Sequence, residues 1–322
     1  MIKIKWGIIG LGKIAGKFAT GLMYADKTEL HAVASRDLEK AKSFAGKFNC
    51  KKYYGSYLEL MQDEKIDVVY IATPHAFHHE LSIQCLKLGK AVLCEKPFAL
   101  NASQAQEMID TARENNTFIM EALWTAFLPH FKHVSRIVNK KEYGEIRSLK
   151  ADFGFPAEYD ATKRLFNKSL GGGSLLDIGI YPVFLAYSLL GKPEEILAKA
   201  KMTETGVDLN CEIVFIYSNG RKIELFSTFE EKTKTMAEIE FEKARIQINS
   251  RFHEPTSITT YVNNKHEVRD FGVENNGYTY EAEHVNRMLQ EKRIESNIWT
   301  HQNTLDLIQL LDEIRNKIGL AY

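Results

Sequence analysis

The chain has 322 residues, too many for one ordinary hydrophobic core, so two domains are expected. Its 44% hydrophobic and 26% charged residues are the proportions of a soluble globular protein. Lysine plus arginine equals aspartate plus glutamate at 42 each, which leaves no overall field to favour nucleic acid or an anionic membrane.

Cys50, Cys85, Cys94 and Cys211 are widely spaced with no C-x-x-C pair, the pattern of free thiols in a reducing compartment. The apolar patch near the N-terminus is short, broken by glycine and followed by Lys13 and Lys17, unlike a signal peptide. No run reaches the roughly 18 to 20 apolar residues that a membrane span requires. A cytoplasmic protein is expected.

"KWGIIG" reads as a strand, followed by a glycine turn and a helix over "IAGKFATGLMYA". Gly10-x-Gly12-x-x-Ala15 sits where a strand meets a helix. Glycine lets the backbone turn tightly and approach a pyrophosphate, and the helix N-terminus supplies amide donors. Gly10, Gly12, Lys13 and Ile14 are therefore expected against a dinucleotide; the alternative is an ordinary tight turn. The second strand, "ELHAVAS", ends in Ser35 and Arg36. A hydroxyl and a guanidinium suit the 2′-phosphate of NADP(H), whereas an NAD site places a carboxylate there. Asp37 is one residue on, which keeps NAD(H) open.

"DVVYIAT" is the next main strand, with "ATPHAFHHE" at its C-terminal end, where ligands of open α/β sheets collect. Thr73, Pro74, His75 and His78 are placed at the cofactor on this basis, with helix capping the alternative for the histidines. No cysteine or acidic cluster completes a shell around them, so no metal is expected. "AVLCEKPFAL" follows, bringing Glu95 and Lys96 to the same rim. Lys96 turned inward would serve as acid, base or polariser of a hydroxyl; the alternative is a solvated amine or a pair with Glu95. "ASQAQEMIDTARENN" and "TFIMEAL" add a helix and a strand. Strands alternating with helices make a parallel sheet, and this domain is assigned to residues 1–123.

Residues 124–322 change pattern. "IRSLKADFGF", "CEIVFIYS", "KIELFSTFE", "AEIEFE", "RIQINS", "SITTYV" and "HEVRDFG" are short strands in close succession, which implies an antiparallel meander. "CEIVFIYS" is apolar at consecutive positions, which favours a covered outer face of the sheet, as where a second copy packs on it. Two helices, within "YEAEHVNRMLQE" and "QNTLDLIQLLDEIRNKIG", close the second domain. Early in it lies "GGGSLLDIGIYPVFLAYSLLG". Asp177 and Tyr181 are four apart and share a helical face, while Gly179 and Pro182 imply a kink or an irregular first turn. A helix-capping role is the alternative for Asp177. Trp124, Phe127, Phe155 and Arg164 are candidates for a substrate wall, since aromatic surface with a few polar groups suits a sugar ring; the alternative is interface core.

"GIIGLGKIA", "ATPHAFHHE", "CEKP" and "GGGSLLDIGIYP", in this order, resemble the Gfo/Idh/MocA family of nicotinamide-dependent oxidoreductases, and the resemblance runs along essentially the whole chain. With Tyr181 where much of that family has histidine, the chain looks most like the branch acting on dihydrodiols and sugars. The resemblance implies a Rossmann domain and an α/β domain with a large, open, mainly antiparallel sheet, often used for dimerisation. It also implies Lys96 and Tyr181 as the catalytic pair, with Asp177 on a substrate hydroxyl. The expected function is an NADP(H)-preferring oxidoreductase acting on a secondary alcohol of a sugar, polyol or cyclic diol, as a homodimer. Redox-neutral glycoside cleavage and a non-catalytic dinucleotide sensor are the rivals.

Overall fold

The computed structural model describes residues 3–218, 220–273 and 275–322. Its first strands are β1 (Ile4–Ile9), β2 (Thr28–Ala34), β3 (Lys52–Tyr54), β4 (Val68–Ile71), β5 (Ala91–Glu95) and β6 (Ile119–Ala122). Helices α1 (Lys13–Leu22), α2 (Leu38–Lys47), α3 (Tyr57–Met61), α4 (His78–Lys87) and α5 (Ala102–Glu114) connect them. Every residue of β4, β5 and β6 is buried, as parallel strands covered by helices on both faces must be. The sheet is parallel throughout, in the order β3-β2-β1-β4-β5-β6. Strand order reverses between β1 and β4, so the loops after these strands flank the crevice where such sheets take ligands.

A second compact unit spans Phe127–Val273 and Asp306–Tyr322. It holds α6 (Pro129–Asn139), β7 (Ile146–Gly154), α7 (Ile180–Leu190), β8 (Glu195–Met202), β9 (Asp208–Ile216), β10 (Lys222–Thr228), β11 (Ala237–Phe241), β12 (Arg245–Ile248), β13 (Ile258–Val262) and β14 (Lys265–Arg269). The sheet order is β14-β13-β12-β11-β7-β10-β9-β8. It is not a simple meander: β7 and β10 pair in parallel at its centre, and every other pairing is antiparallel. Between these two strands the chain makes its crossover through α7, which packs on both of them.

Cys211, Ile213 and Phe215 of β9 are buried, while Glu212 is exposed and Val214 and Ile216 are half-buried. Within one copy the strand therefore buries one face fully and leaves Val214 and Ile216 half-buried on the other. One sequence expectation is corrected here, and it concerns membrane spans. The helical run Lys168–Leu190 does have the length and mean hydropathy, 1.5, of a span, but 89% of its apolar window is buried inside the protein. A helix apolar on all sides is what the core of a two-layer unit requires.

The sequence boundary at residue 123 also misses a return of the chain. The first unit comprises Met1–Ala126 together with Glu274–Leu305, which contains α8 (Tyr278–Gln290), and the division then falls inside α9 (His301–Lys317). The indole of Trp6 donates to Asn286 Oδ1 at 3.0 Å, and Thr279 Oγ1 donates to the Gly21 carbonyl at 2.9 Å. These bonds seat α8 against β1 and α1. A Cβ at Gly21 would lie 2.7 Å from Tyr278 Cβ, leaving no flexible atom to yield. Gly21→Ala should destabilise the protein by about 1–3 kcal/mol in urea unfolding, because overpacking outweighs the roughly 1 kcal/mol gained in helix propensity. A stabilised variant would contradict this packing.

Candidate active site

In the first unit, Gly10 (φ +85°) turns the chain at the end of β1, and a Cβ there would meet the Ala72 carbonyl carbon and Thr73 N at 2.7 Å. At Gly12, the N-cap of α1, an added Cβ would meet nothing within 4 Å. Among the described residues no side chain caps this helix, and its first turn holds no acidic residue. Lys13 is exposed and Ile14 half-buried in that turn. Across the crevice edge, Thr73 Oγ1 is buried without a hydrogen-bond partner among the described residues. An open glycine turn, uncapped amides and an orphaned hydroxyl fit a dinucleotide's phosphates.

At the end of β2, Ser35 is buried and Arg36 exposed, with the guanidinium 6.0 Å from the Phe77 ring centroid. Asp37 N-caps α2, accepting from Lys40 N at 3.1 Å. Its carboxylate is thus committed to the helix.

The three histidines diverge. His75 is buried in a short 3₁₀ turn, His75–Phe77, that follows Pro74. His79 meets Glu107 at 2.9 Å. His78 is fully buried, with Nδ1 2.8 Å from the Pro97 carbonyl and Nε2 2.9 Å from the Thr73 carbonyl. This corrects its expected place against the cofactor: the ring braces the loop after β4 against the loop after β5. Glu95 is also turned inward. Tyr70 donates to its Oε1, and the Lys96 amide donates to Oε2 at 3.2 Å. Lys96 is half-buried at the strand end.

Sequence reasoning missed the carboxyls packed behind this rim. Glu121 accepts from Trp299 Nε1 at 3.0 Å, Phe98 N at 3.1 Å and Thr304 Oγ1 at 3.2 Å, yet burial pushes it up to about 7. Glu281 is completely buried, and neither oxygen has a hydrogen-bond partner among the described residues. Burial first, and the charge of Glu95 second, hold it well above the usual carboxylate range. In the sequence, Glu281 reads as an ordinary helix-surface charge.

Of the predicted substrate wall, Trp124 is buried and stacks on Tyr278 with centroids 4.2 Å apart, and Phe127 is fully buried. Phe127 is thereby corrected to a core residue, since a ring without exposed surface lines no pocket. Phe155, in the second unit, remains half-buried beside Phe229, at 5.3 Å.

In that unit a π-helical turn, Leu175–Gly179, leads into α7. It is the irregular first turn that Gly179 and Pro182 foretell, and such turns recur at functional sites. Asp177 is buried on it and accepts from Arg164 Nη1 at 2.6 Å, so two predicted residues meet. Tyr181 is 6% exposed, its ring 4.7 Å from His253 and 5.9 Å from Phe153. His253 was not foreseen; no motif surrounds it.

Residues 4–123 match an oxidoreductase family with an NAD-binding Rossmann fold, and residues 131–247 match the GFO/IDH/MocA C-terminal domain. The chain belongs to the Gfo/Idh/MocA family of NAD(P)-dependent oxidoreductases. Trans-1,2-dihydrobenzene-1,2-diol dehydrogenase from Xenopus tropicalis is 39% identical over 99% of both chains. The Homo sapiens enzyme of that name is 33% identical over 99% of this chain and 98% of its own. The fold is shared with KijD10, a 3-ketoreductase from Actinomadura kijaniata in complex with NADP and TDP-benzene, at a TM-score of 0.88 and 24% identity over 98% of each chain. Aldose-aldose oxidoreductase from Caulobacter crescentus, complexed with glycerol, gives 0.89 at 20% identity over the same share of each.

The raised Glu281 carboxyl has a signed consequence. Its folded-state pKa exceeds the unfolded one, so the ionised form costs stability as pH rises above the ordinary value of 4.5. Relative to wild type, Glu281→Gln should therefore melt at a higher temperature at pH 8 than the same comparison gives at pH 5. A difference that does not change with pH would contradict the burial of this charge.

Proposed function

We propose that this member of the Gfo/Idh/MocA family prefers NADP(H) and moves a hydride between nicotinamide C4 and a secondary carbinol carbon of a sugar, polyol or cyclic diol. The observation that carries the substrate class is the 2.6 Å pairing of Arg164 with Asp177, one turn ahead of Tyr181. Such a pair offers donors and acceptors to neighbouring hydroxyls, while Phe153 and Phe155 supply apolar surface for the C–H face of a ring. The dihydrodiol named for the relatives at 33–39% identity has the same vicinal hydroxyls on a six-membered ring.

Gly10, Gly12 and the α1 amides bind the pyrophosphate in this reading. Ser35 and Arg36 bind the 2′-phosphate, and the commitment of Asp37 to the α2 cap removes the nearby carboxylate that would favour NAD(H). The bound dinucleotide supplies the hydride chemistry. Tyr181 takes the hydroxyl proton during oxidation and returns it during reduction, Lys96 is the second member of the catalytic pair, and Asp177 holds a substrate hydroxyl. The enzyme works in the cytoplasm; its four cysteines are free thiols, as a reducing compartment keeps them.

The protein is a homodimer through the outer face of the second unit's sheet. Val214, Phe226 and Met236 are half-buried there, among the ion pairs Lys150–Glu224 at 2.8 Å and Lys199–Glu212 at 2.9 Å. A second copy supplies both apolar surface and the opposite charges. Light scattering at micromolar concentration should give twice 36.8 kDa, and a monomer would exclude this interface.

The function is tested with D-xylose, D-glucose and trans-1,2-cyclohexanediol against NADP⁺ and NAD⁺, following nicotinamide absorbance. Lys96→Ala and Tyr181→Phe should each abolish turnover while NADPH affinity stays within a few-fold. Arg36→Ala should weaken NADPH binding by about tenfold, the loss of one charge-assisted contact, and leave NADH binding nearly unchanged. Normal turnover by Lys96→Ala or Tyr181→Phe would refute the catalytic assignment.

A further inference from the structure

The π-turn that carries Asp177 and leads into Tyr181 is held at its entry by hydrogen bonds among buried polar residues and closely packed at its exit. Asp208 Oδ2 accepts from Ser174 Oγ and from the Leu175 amide, each at 2.7 Å, at the turn's entry. Ser174 Oγ is 3.0 Å from Ser227 Oγ. Ser227 Oγ in turn closes on the turn's exit, lying 2.8 Å from where a Cβ on Gly179 would stand. Asp208 and Ser174 have no exposed surface, and Ser227 has 1%.

The approach to the turn is equally constrained. Gly173 has φ +117°, and a Cβ there would come within 2.1 Å of Asp208 Oδ1. The hydroxyl of Tyr322, at the C-terminal end of the chain, donates to the Gly172 carbonyl.

We propose that Asp208 is the positioning residue that holds the π-turn and so fixes Asp177 relative to Tyr181. This rests on the reading of Tyr181 as the proton-transfer residue. A π-turn bonds residue i to i+5 and holds one residue more than an α-turn. Relaxing it to α geometry would rotate the residues beyond it by about 100° relative to Asp177. An ionised carboxylate accepting two donors at 2.7 Å, one of them the turn's first amide, resists that relaxation.

Asp208 is also set to respond to protons. Burial raises it to about 7, against the lowering effect of the Ser174 and Leu175 bonds. Its Oδ1 has no hydrogen-bond partner among the described residues. The titratable groups facing it are the Tyr322 phenol and the Cys211 thiol, both pushed up by burial first and by Asp208 second. Arg315 lies over the Tyr322 ring at 5.1 Å. The ionised clamp is present above the raised pKa and weakens as pH falls through it.

The test uses the full-length protein with tyrosine labelled with carbon-13 at Cζ. The Tyr181 resonance is the one absent from Tyr181→Phe. It should show an inflection near pH 7 in the wild type, reporting Asp208, and none in Asp208→Asn. With NADP⁺ and trans-1,2-cyclohexanediol, D-xylose or D-glucose, Asp208→Asn should lower kcat by about tenfold or more, with KM within about threefold, as expected of a misplaced reacting group. Should Asp208→Asn fail to fold, Ser174→Ala removes one of the two donors and should shift the Tyr181 resonance and lower kcat in the same direction. An unchanged inflection in Asp208→Asn, no inflection in the wild type, or a kcat within twofold of wild type would overturn the clamp. If Tyr181→Phe remains active, or the wild type turns over none of these compounds, the functional reading fails, and the resonance still decides the role of Asp208.

Discussion

Tyr70 donating its phenolic proton to Glu95, between the ends of two adjacent buried strands, is the interaction on which the C-terminal rim of the first unit's sheet depends. A carboxyl at the last residue of a fully buried strand must find donors or lose its charge. With Tyr70 on one oxygen and the Lys96 amide on the other, Glu95 is anchored inward and the chain leaves the strand with Lys96 at the rim. His78 completes the brace by joining the carbonyls of Thr73 and Pro97. The histidine and the glutamate thus act on the backbone that carries the lysine. Glu121 and Glu281 make the region behind the rim an acidic interior whose charge depends on pH.

The second unit solves a different problem with the same chemistry. Its crossover helix is apolar on nearly every side and would register equally well in several rotations if hydrophobic packing alone located it. Polar contacts remove that freedom. Asp208 holds the entry of the π-turn, Ser227 packs closely at Gly179, and Arg164 binds the carboxylate that the turn carries. A few directional bonds thereby give a defined position to side chains that stand on a greasy helix.

The parts of this arrangement that were legible in the sequence are local. A strand, a Gly-x-Gly turn and a helix follow one another between Ile4 and Leu22, and Gly179 with Pro182 announces an irregular turn just where the π-turn lies. What was hidden depends on distant pairing. Asn286 meets Trp6 across 280 residues, so α8 reads as part of the second domain until the fold returns it to the first. Glu281 sits among polar residues on α8 and gives no sign of burial. Asp208 looks like a loop residue before a strand until Ser174 and Leu175 arrive beside it. Phe127 and Val214 show the converse: an aromatic or apolar residue type does not reveal which surface it meets. Asp37 is intermediate, because its capping of α2 is a local pattern, visible once the helix start is known.

In the proposed reaction, hydride passes directly between a substrate carbinol carbon and the nicotinamide ring. Its most direct measurement uses trans-1,2-cyclohexanediol deuterated at both carbinol carbons, with NADP⁺ and nuclear magnetic resonance of the recovered cofactor. One deuteron at C4 of NADPH for each ketone formed is the predicted result. Product formed with an unlabelled cofactor, or with deuterium released to water, would contradict it.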